Sequence, residues 1–133
     1  MDDAKNHIGE ISIFADKCIV FKIKPITVLE RGSVYEAARY YWKANQCRAE
    51  RADYVLAVVD GVIKGVFEPS QWYVTTYENV EKYGGSKYWN EKYRERIGFI
   101  GKEADFSVLN RYLGKCISAA LRAAQNPVLY SYK

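Results

Sequence analysis

A chain of 133 residues, 49% hydrophobic and 27% charged, is long enough to bury one sizeable core and has an ordinary globular composition. Its net charge of +4 permits an acidic partner without requiring one, while 12 tyrosines and 3 tryptophans must fill a core, an aromatic pocket or both. Three scattered cysteines (Cys18, Cys47, Cys116) and one histidine, His7, exclude a zinc-type ligand set and a disulfide framework, so no metal and no cofactor are expected.

The start, MDDAKNHIGE, is polar, lacks the apolar run of a signal peptide and reads as a loose tail over residues 1–10. No stretch has the length of a membrane span, and with the thiol pattern this points to a soluble protein of a reducing cytoplasm, with no membrane partner. From Cys18, CIVFKIK has strand composition and is closed by Pro25. SVYEAARYYWKAN then predicts a helix with Ser33 at its N-cap and Glu36 completing a capping box; Val34, Ala37, Ala38 and Tyr41 form its buried face. Tyr35, Arg39 and Trp42 make a ridge beside that face.

YVLAVVDGVIKGVF, residues 54–67, is a hairpin about the turn pair Asp60-Gly61. Its first strand is apolar on both faces and should be covered on each side. Its second strand carries Gly65, which predicts a bulge or a sharp coil as the sheet curls. Pro69 ends that strand, and SQWYVT follows as a turn or an irregular strand. Residues 78–96 form a long basic aromatic loop, with five Lys or Arg and two Glu from Lys82 to Arg96. RIGFIGK resumes strand character, and DFSVLNRYLGK predicts a short helix capped by Asp105 or Ser107 and closed by Gly114. CISAALRAAQ fits helix or strand; Asn126-Pro127 is a turn, and VLYSY supplies a last strand. The fold class is α+β, a small, curled, mostly antiparallel sheet or pseudo-barrel flanked by helices, in one domain over 1–133.

This order of elements, with YVLAVVDGVIKGVF, QWY, RIGFIGK and QNPVLY, resembles the PUA-like superfamily, whose relatives include the EVE, YTH and ASCH domains. The likeness spans roughly residues 18–132 and is nearest to bacterial domains that stand alone or are attached to GIY-YIG nuclease modules. It implies a pseudo-barrel that binds nucleic acid, DNA or RNA, with a modified base read in an aromatic pocket walled by the hairpin. A nuclease module or another protein is the further partner class it implies.

Three groups of residues are candidates for such a site. Arg39, Trp42 and Asn45 would form a stacking platform beside a phosphate or base contact; alternatively Trp42 is core edge, covered by the Arg39 stem. Trp72 and Tyr73 stand where pockets of the superfamily open, or they are a packed corner. Lys82, Lys87, Lys92 and Arg94 would contact a phosphate backbone; otherwise their segment is a solvated insertion.

Catalytic chemistry has less to stand on. His7 in a polar tail offers no base to a serine or cysteine, and Cys47 beside Arg48 reads more simply as a plain buried thiol than as one with a lowered pKa. KPIT places Lys24 and Thr27 at a Lys-x-x-Thr spacing that resembles ASCH-type amidohydrolases acting on modified nucleosides, with Glu68 as the proton carrier. The family pattern also has a Gly before and an Arg after, where this chain has Lys22 and Leu29. The expected function is therefore a nucleic-acid-binding module, with an amidohydrolase or a protein-interaction module as the alternatives.

Overall fold

Short helices separate the strand-forming runs. β1 (Glu10–Ile11) and β2 (Cys18–Ile23) precede α1 (Pro25–Arg31), α2 (Val34–Arg39) and α3 (Gln46–Ala49). The hairpin of β3 (Tyr54–Val59) and β4 (Val62–Val74) follows, then α4 (Tyr77–Tyr83), a 3-10 turn (Glu91–Tyr93) and β5 (Ile97–Glu103). α5 (Phe106–Tyr112), β6 (Cys116–Ile117), α6 (Ala119–Ala123) and β7 (Val128–Tyr130) come last. The computed structural model describes residues 10–11 and 14–133. The tail expected over 1–10, with His7, lies outside them except for Glu10, which pairs with Cys116 between β1 and β6.

The described strands form one α+β sheet in the order β1-β6-β4-β3-β2-β7, with β5 also paired to β4. It is mostly antiparallel and is not closed into a barrel; β2–β3 and β1–β6 are parallel. The parallel β2–β3 pair requires a crossover, and α1, α2 and α3 supply it. Both faces of these central strands are buried. Ile19, Phe21, Val55 and Ala57 enter one core cluster beneath α2, while Val20, Leu56 and Val58 enter another beneath α5.

Asp60 and Gly61 take φ of 52° and 79°, the two positive values that a type I′ turn needs. The predicted irregularity at Gly65 is present. The register passes from Ala57↔Gly65 to Val58↔Ile63, leaving Lys64 as the extra residue of a bulge. A Cβ on Gly65 would lie 2.8 Å from the Phe67 ring and 3.0 Å from Val34, so the glycine lets α2 and Phe67 press onto the strand.

Pro69 does not end β4. A second bulge, between Pro69 and Gln71, absorbs the residue that cannot donate, and the strand runs on to Val74 paired with β5. At that bulge a Cβ on Gly101 would overlap the Glu68 carbonyl and lie 2.9 Å from Pro69 Cα. Backbone atoms have little room to yield, so Gly101→Ala is expected to lower stability by about 1–3 kcal/mol. A urea midpoint unchanged from wild type would contradict that packing.

The helix expected from Ser33 starts as predicted, with Ser33 Oγ accepting from the Glu36 N–H at 3.0 Å. The Glu36 carboxylate does not close a capping box; it accepts from the Tyr40 hydroxyl at 2.6 Å and from Arg39 at 3.1 Å. The helix also ends early, at Arg39, because Trp42 exchanges both backbone hydrogen bonds with Ile97, at 3.0 and 2.9 Å. α1 was not anticipated. Pro25 opens a helix instead of merely closing a strand, and Gly32, at φ 92°, ends it with its N–H on the Val28 carbonyl.

Candidate functional site

Positions 24, 27 and 31 are spaced by three and four, so Lys24, Thr27 and Arg31 share one face of the α1 region. Across from them, the Trp42–Ile97 bridge holds residues 40–42 as an extended segment along β5. Tyr93 arrives from the 3-10 turn, and its ring stacks on Tyr41 at 4.4 Å and 4°. Together these residues line an open cavity of about 280 Å³, with Lys22, Ile23, Ala37 and Pro127 also in its lining.

The cavity walls combine four aromatic rings, from Tyr40, Tyr41, Trp42 and Tyr93, with cationic residues and no described carboxylate. Phe21 covers one face of the Trp42 indole at 4.2 Å and 5°, and the indole N–H donates to the Ala38 carbonyl at 2.8 Å, so the ring is fixed while still lining the cavity. The Tyr41 hydroxyl donates to the Gly85 carbonyl. Arg31 lies over three rings, 4.9 Å from Tyr88, 5.1 Å from Tyr40 and 5.2 Å from Tyr41. The Lys22 ammonium is turned to the Leu121 and Ala124 carbonyls at the end of α6 and leaves Lys24 and Arg31 as the cations of the wall. Such a site can hold a flat aromatic ligand by stacking and attract a negative charge beside it.

Of the first predicted group, only Trp42 lines this cavity. Arg39 has a side chain 12% exposed and binds Glu36 and the carbonyls of Tyr83 and Phe99, at 2.6 and 3.2 Å for the latter two. It is a structural clamp between α2, α4 and β5. Asn45 caps α3, accepting from the Arg48 N–H at 2.9 Å.

Trp72 and Tyr73 are corrected from platform to core. They are 5% and 3% exposed, because adjacent residues of β4 face opposite sides of the sheet and both sides are covered: Trp72 enters the cluster of Phe21 and Phe99, Tyr73 the cluster of Val80 and Tyr83. Trp72 packs on Phe99 at 5.1 Å, and Tyr73 stacks on Tyr83 at 5.0 Å and donates its hydroxyl to the Gly84 carbonyl.

The segment 78–96 is likewise not one long loop. Thr76 caps α4, and Tyr83, Tyr88, Trp89 and Tyr93 pack against a cluster of Tyr40, Tyr41, Tyr73 and Val80. Lys82, Lys87, Lys92 and Arg94 remain exposed, and Arg94 is engaged by Glu91 at 2.7 and 2.9 Å. Lys87 lies 5.5 Å from the Tyr88 ring and Lys92 5.0 Å from the ring of Tyr93, which lines the cavity, but neither lysine lines it.

The amidohydrolase set is divided. Lys24 and Thr27 line the cavity, whereas Glu68 lines a separate depression with Ser70 and Gly101 and pairs with Lys102 at 3.7 Å. Among the described residues no group of three His, Cys, Asp or Glu is placed to hold a metal ion, and no helix is long and apolar enough to cross a membrane. Cys18 is buried, and burial pushes its thiol up to about 12; Cys47 is exposed and unpaired.

Burial also raises the phenols of Tyr40, Tyr41 and Tyr73, the last to about 12 despite the opposing charge of Arg39. Their pKa values exceed that of an unfolded tyrosine, about 10, so their contribution is complete below that pH and is lost as pH climbs toward and beyond 12. Stability measured by urea unfolding is expected to hold steady from about pH 7 to 9 and to fall above about 10. A flat profile through about pH 11.5 would contradict the buried tyrosine cluster.

Sequence reasoning missed Arg31, Tyr40 and Tyr41 as site residues. The available signal was Pro25 and Gly32 bracketing a seven-residue helix, which would have placed Arg31 in its last turn. A comparison with family models, curated proteins and solved structures finds no match.

Proposed function

We propose that this protein is a nucleic-acid-binding module that takes one unpaired or extruded base into the cavity between α1, residues 40–42 and the 3-10 turn. The observation that carries the reading is the wall itself: Tyr40, Tyr41, Trp42 and Tyr93 line it together with Lys24 and Arg31, and no described carboxylate does. A base leaving its stack is held by stacking, and the strand on either side brings phosphates that require cations. Lys92 stands beside Tyr93 of the wall and Lys87 beside Tyr88 of the same aromatic cluster, two exposed cations for the phosphates of the flanking strand. The PUA-like resemblance points the same way, and a modified base is the occupant it favours.

The amidohydrolase alternative retains Lys24 and Thr27 in the cavity but, among the described residues, no carboxylate beside them, so acylated cytidine is expected to be bound without turnover. Turnover that disappears in Lys24→Ala or Thr27→Ala would reverse that order.

The test is a binding screen of the whole chain against single- and double-stranded oligonucleotides, with and without modified bases, at two salt concentrations. Single strands, or duplexes with a modified or mismatched base, are expected to bind more tightly than a plain duplex. If nothing binds at low salt, the reading passes to a protein-interaction module. Its surface would be the apolar depression of Pro25, Val28, Leu29, Val34 and Val59, where Leu29 is 77% exposed.

A further inference from the structure

Among the described residues two arginines each lie over more than one tyrosine ring, and they are not alike. Arg39 has the Glu36 carboxylate at 3.1 Å and two backbone carbonyls, so its donors are largely matched. Arg31 is half-buried over Tyr40, Tyr41 and Tyr88, and among the described residues it makes one hydrogen bond, from Nη1 to the Tyr40 carbonyl at 3.1 Å, and no ion pair. A guanidinium carries five N–H donors in a planar fork that fits two oxygens of a phosphate at once. Ring faces steady a cation but supply no acceptor for those donors. Arg31 borders the cavity, and so do Lys24 and Thr27 on the same helix face.

We infer that the cavity contains its own phosphate subsite at Arg31, so that its ligand is a phosphate-bearing nucleotide unit and not a bare base or nucleoside. This rests on the base-binding reading and adds the class of ligand to it. The base lies against the ring wall that includes Trp42, and the phosphate attached to the same sugar takes the open edge of the Arg31 fork. Lys24 adds positive charge along the same wall.

The experiment titrates the full chain at low salt with adenosine, cytidine, their 5′-monophosphates and inorganic phosphate, followed by calorimetry. A short mixed-sequence single strand is titrated in parallel. On wild type the monophosphates are expected to bind about 10- to 100-fold more tightly than the nucleosides, the range of one charged hydrogen-bonded contact. In Arg31→Gln the gap between monophosphate and nucleoside, both measured on that variant, closes, and in Arg31→Lys it returns in part.

Equal binding of nucleoside and monophosphate by wild type, or a gap that survives in Arg31→Gln, overturns the inference. So does inorganic phosphate binding as tightly as the monophosphates, which would mark a general anion site. If the single strand binds and no mononucleotide does, the subsite falls and the nucleic-acid reading stands; if neither binds, both fall. Thermal unfolding checks each variant, and should Arg31→Gln fail to fold, the wild-type gap and Arg31→Lys decide.

Discussion

Replacing Trp72 with alanine is expected to remove about 3–5 kcal/mol of folding stability, the range for truncating a large buried aromatic. Trp72 is 5% exposed, meets Phe21 edge-on at 6.3 Å and packs on Phe99 at 5.1 Å. It therefore joins β2, β4 and β5 within one cluster, and its loss leaves a cavity where three strands converge. Domains of this size have about 5–15 kcal/mol in total, so the variant should lie near the edge of folding at room temperature. Trp72→Phe keeps most of the contact and should lose clearly less. Urea unfolding measures both. A loss below about 1 kcal/mol for Trp72→Ala would return the residue to the surface role that its place after Pro69 suggested.

The corresponding result for binding concerns Trp42, Arg31 and the exposed Lys87 and Lys92. Stacking on a ring is nearly independent of salt, so Trp42→Leu is expected to weaken single-strand binding by about 1–3 kcal/mol with the salt slope unchanged. Phosphate contacts release counterions. Lys87→Ala combined with Lys92→Ala should therefore lower the slope by roughly one to two units and weaken all sequences alike, leaving any base preference in place. Arg31→Gln should do both, lowering the slope and weakening binding about 10-fold or more. Fluorescence anisotropy across a salt series separates the stacking pattern of Trp42 from the phosphate pattern of Arg31 and the lysines. Phe21 stacks on Trp42, so Trp42→Leu is compared at temperatures where its unfolding curve matches that of wild type. A slope that changes with Trp42 and not with the lysines would contradict the division of labour.

Local signals proved the most legible part of this chain. Asp60-Gly61, Ser33, Gly114 and Asn126-Pro127 each act within a few residues, and each does locally what its chemistry dictates: two positive φ values, an N-cap, a left-handed φ of 83° and an Asn side chain accepting from the Val128 N–H at 2.9 Å. What misled was competition from distant partners. SVYEAARYYWKAN has the pattern for a longer helix, but β5 claims the backbone of Trp42, and that pairing across 55 positions leaves no trace at residue 42 itself.

Pro69 carried the usual signal for a strand end, and a bulge at Ser70 accommodated it. The site follows the same division. Trp42 was identifiable by residue type, whereas Trp72 and Tyr73 are of the same type and became core because both faces of β4 are covered there, one by the cluster of Phe21 and Phe99 and the other by that of Val80 and Tyr83. Arg31 gave no signal of its own. Its significance arises from three tyrosines contributed by the segment after α2 and the segment after α4, which only the folded chain brings together.

The central claim is that a base occupies the cavity walled by Tyr40, Tyr41, Trp42 and Tyr93. The most direct test is a nuclear magnetic resonance titration of the isotope-labelled chain with a short single-stranded oligonucleotide, following the indole N–H of all three tryptophans and the tyrosine ring protons. Large shifts are predicted for Trp42, Tyr41 and Tyr93, with smaller ones for the backbone of Lys87 and Lys92. Trp72 should be unmoved within the core cluster of Phe21 and Phe99. Saturable binding with Trp42, Tyr41 and Tyr93 unshifted, and the changes gathered on another face of the sheet, would contradict the claim.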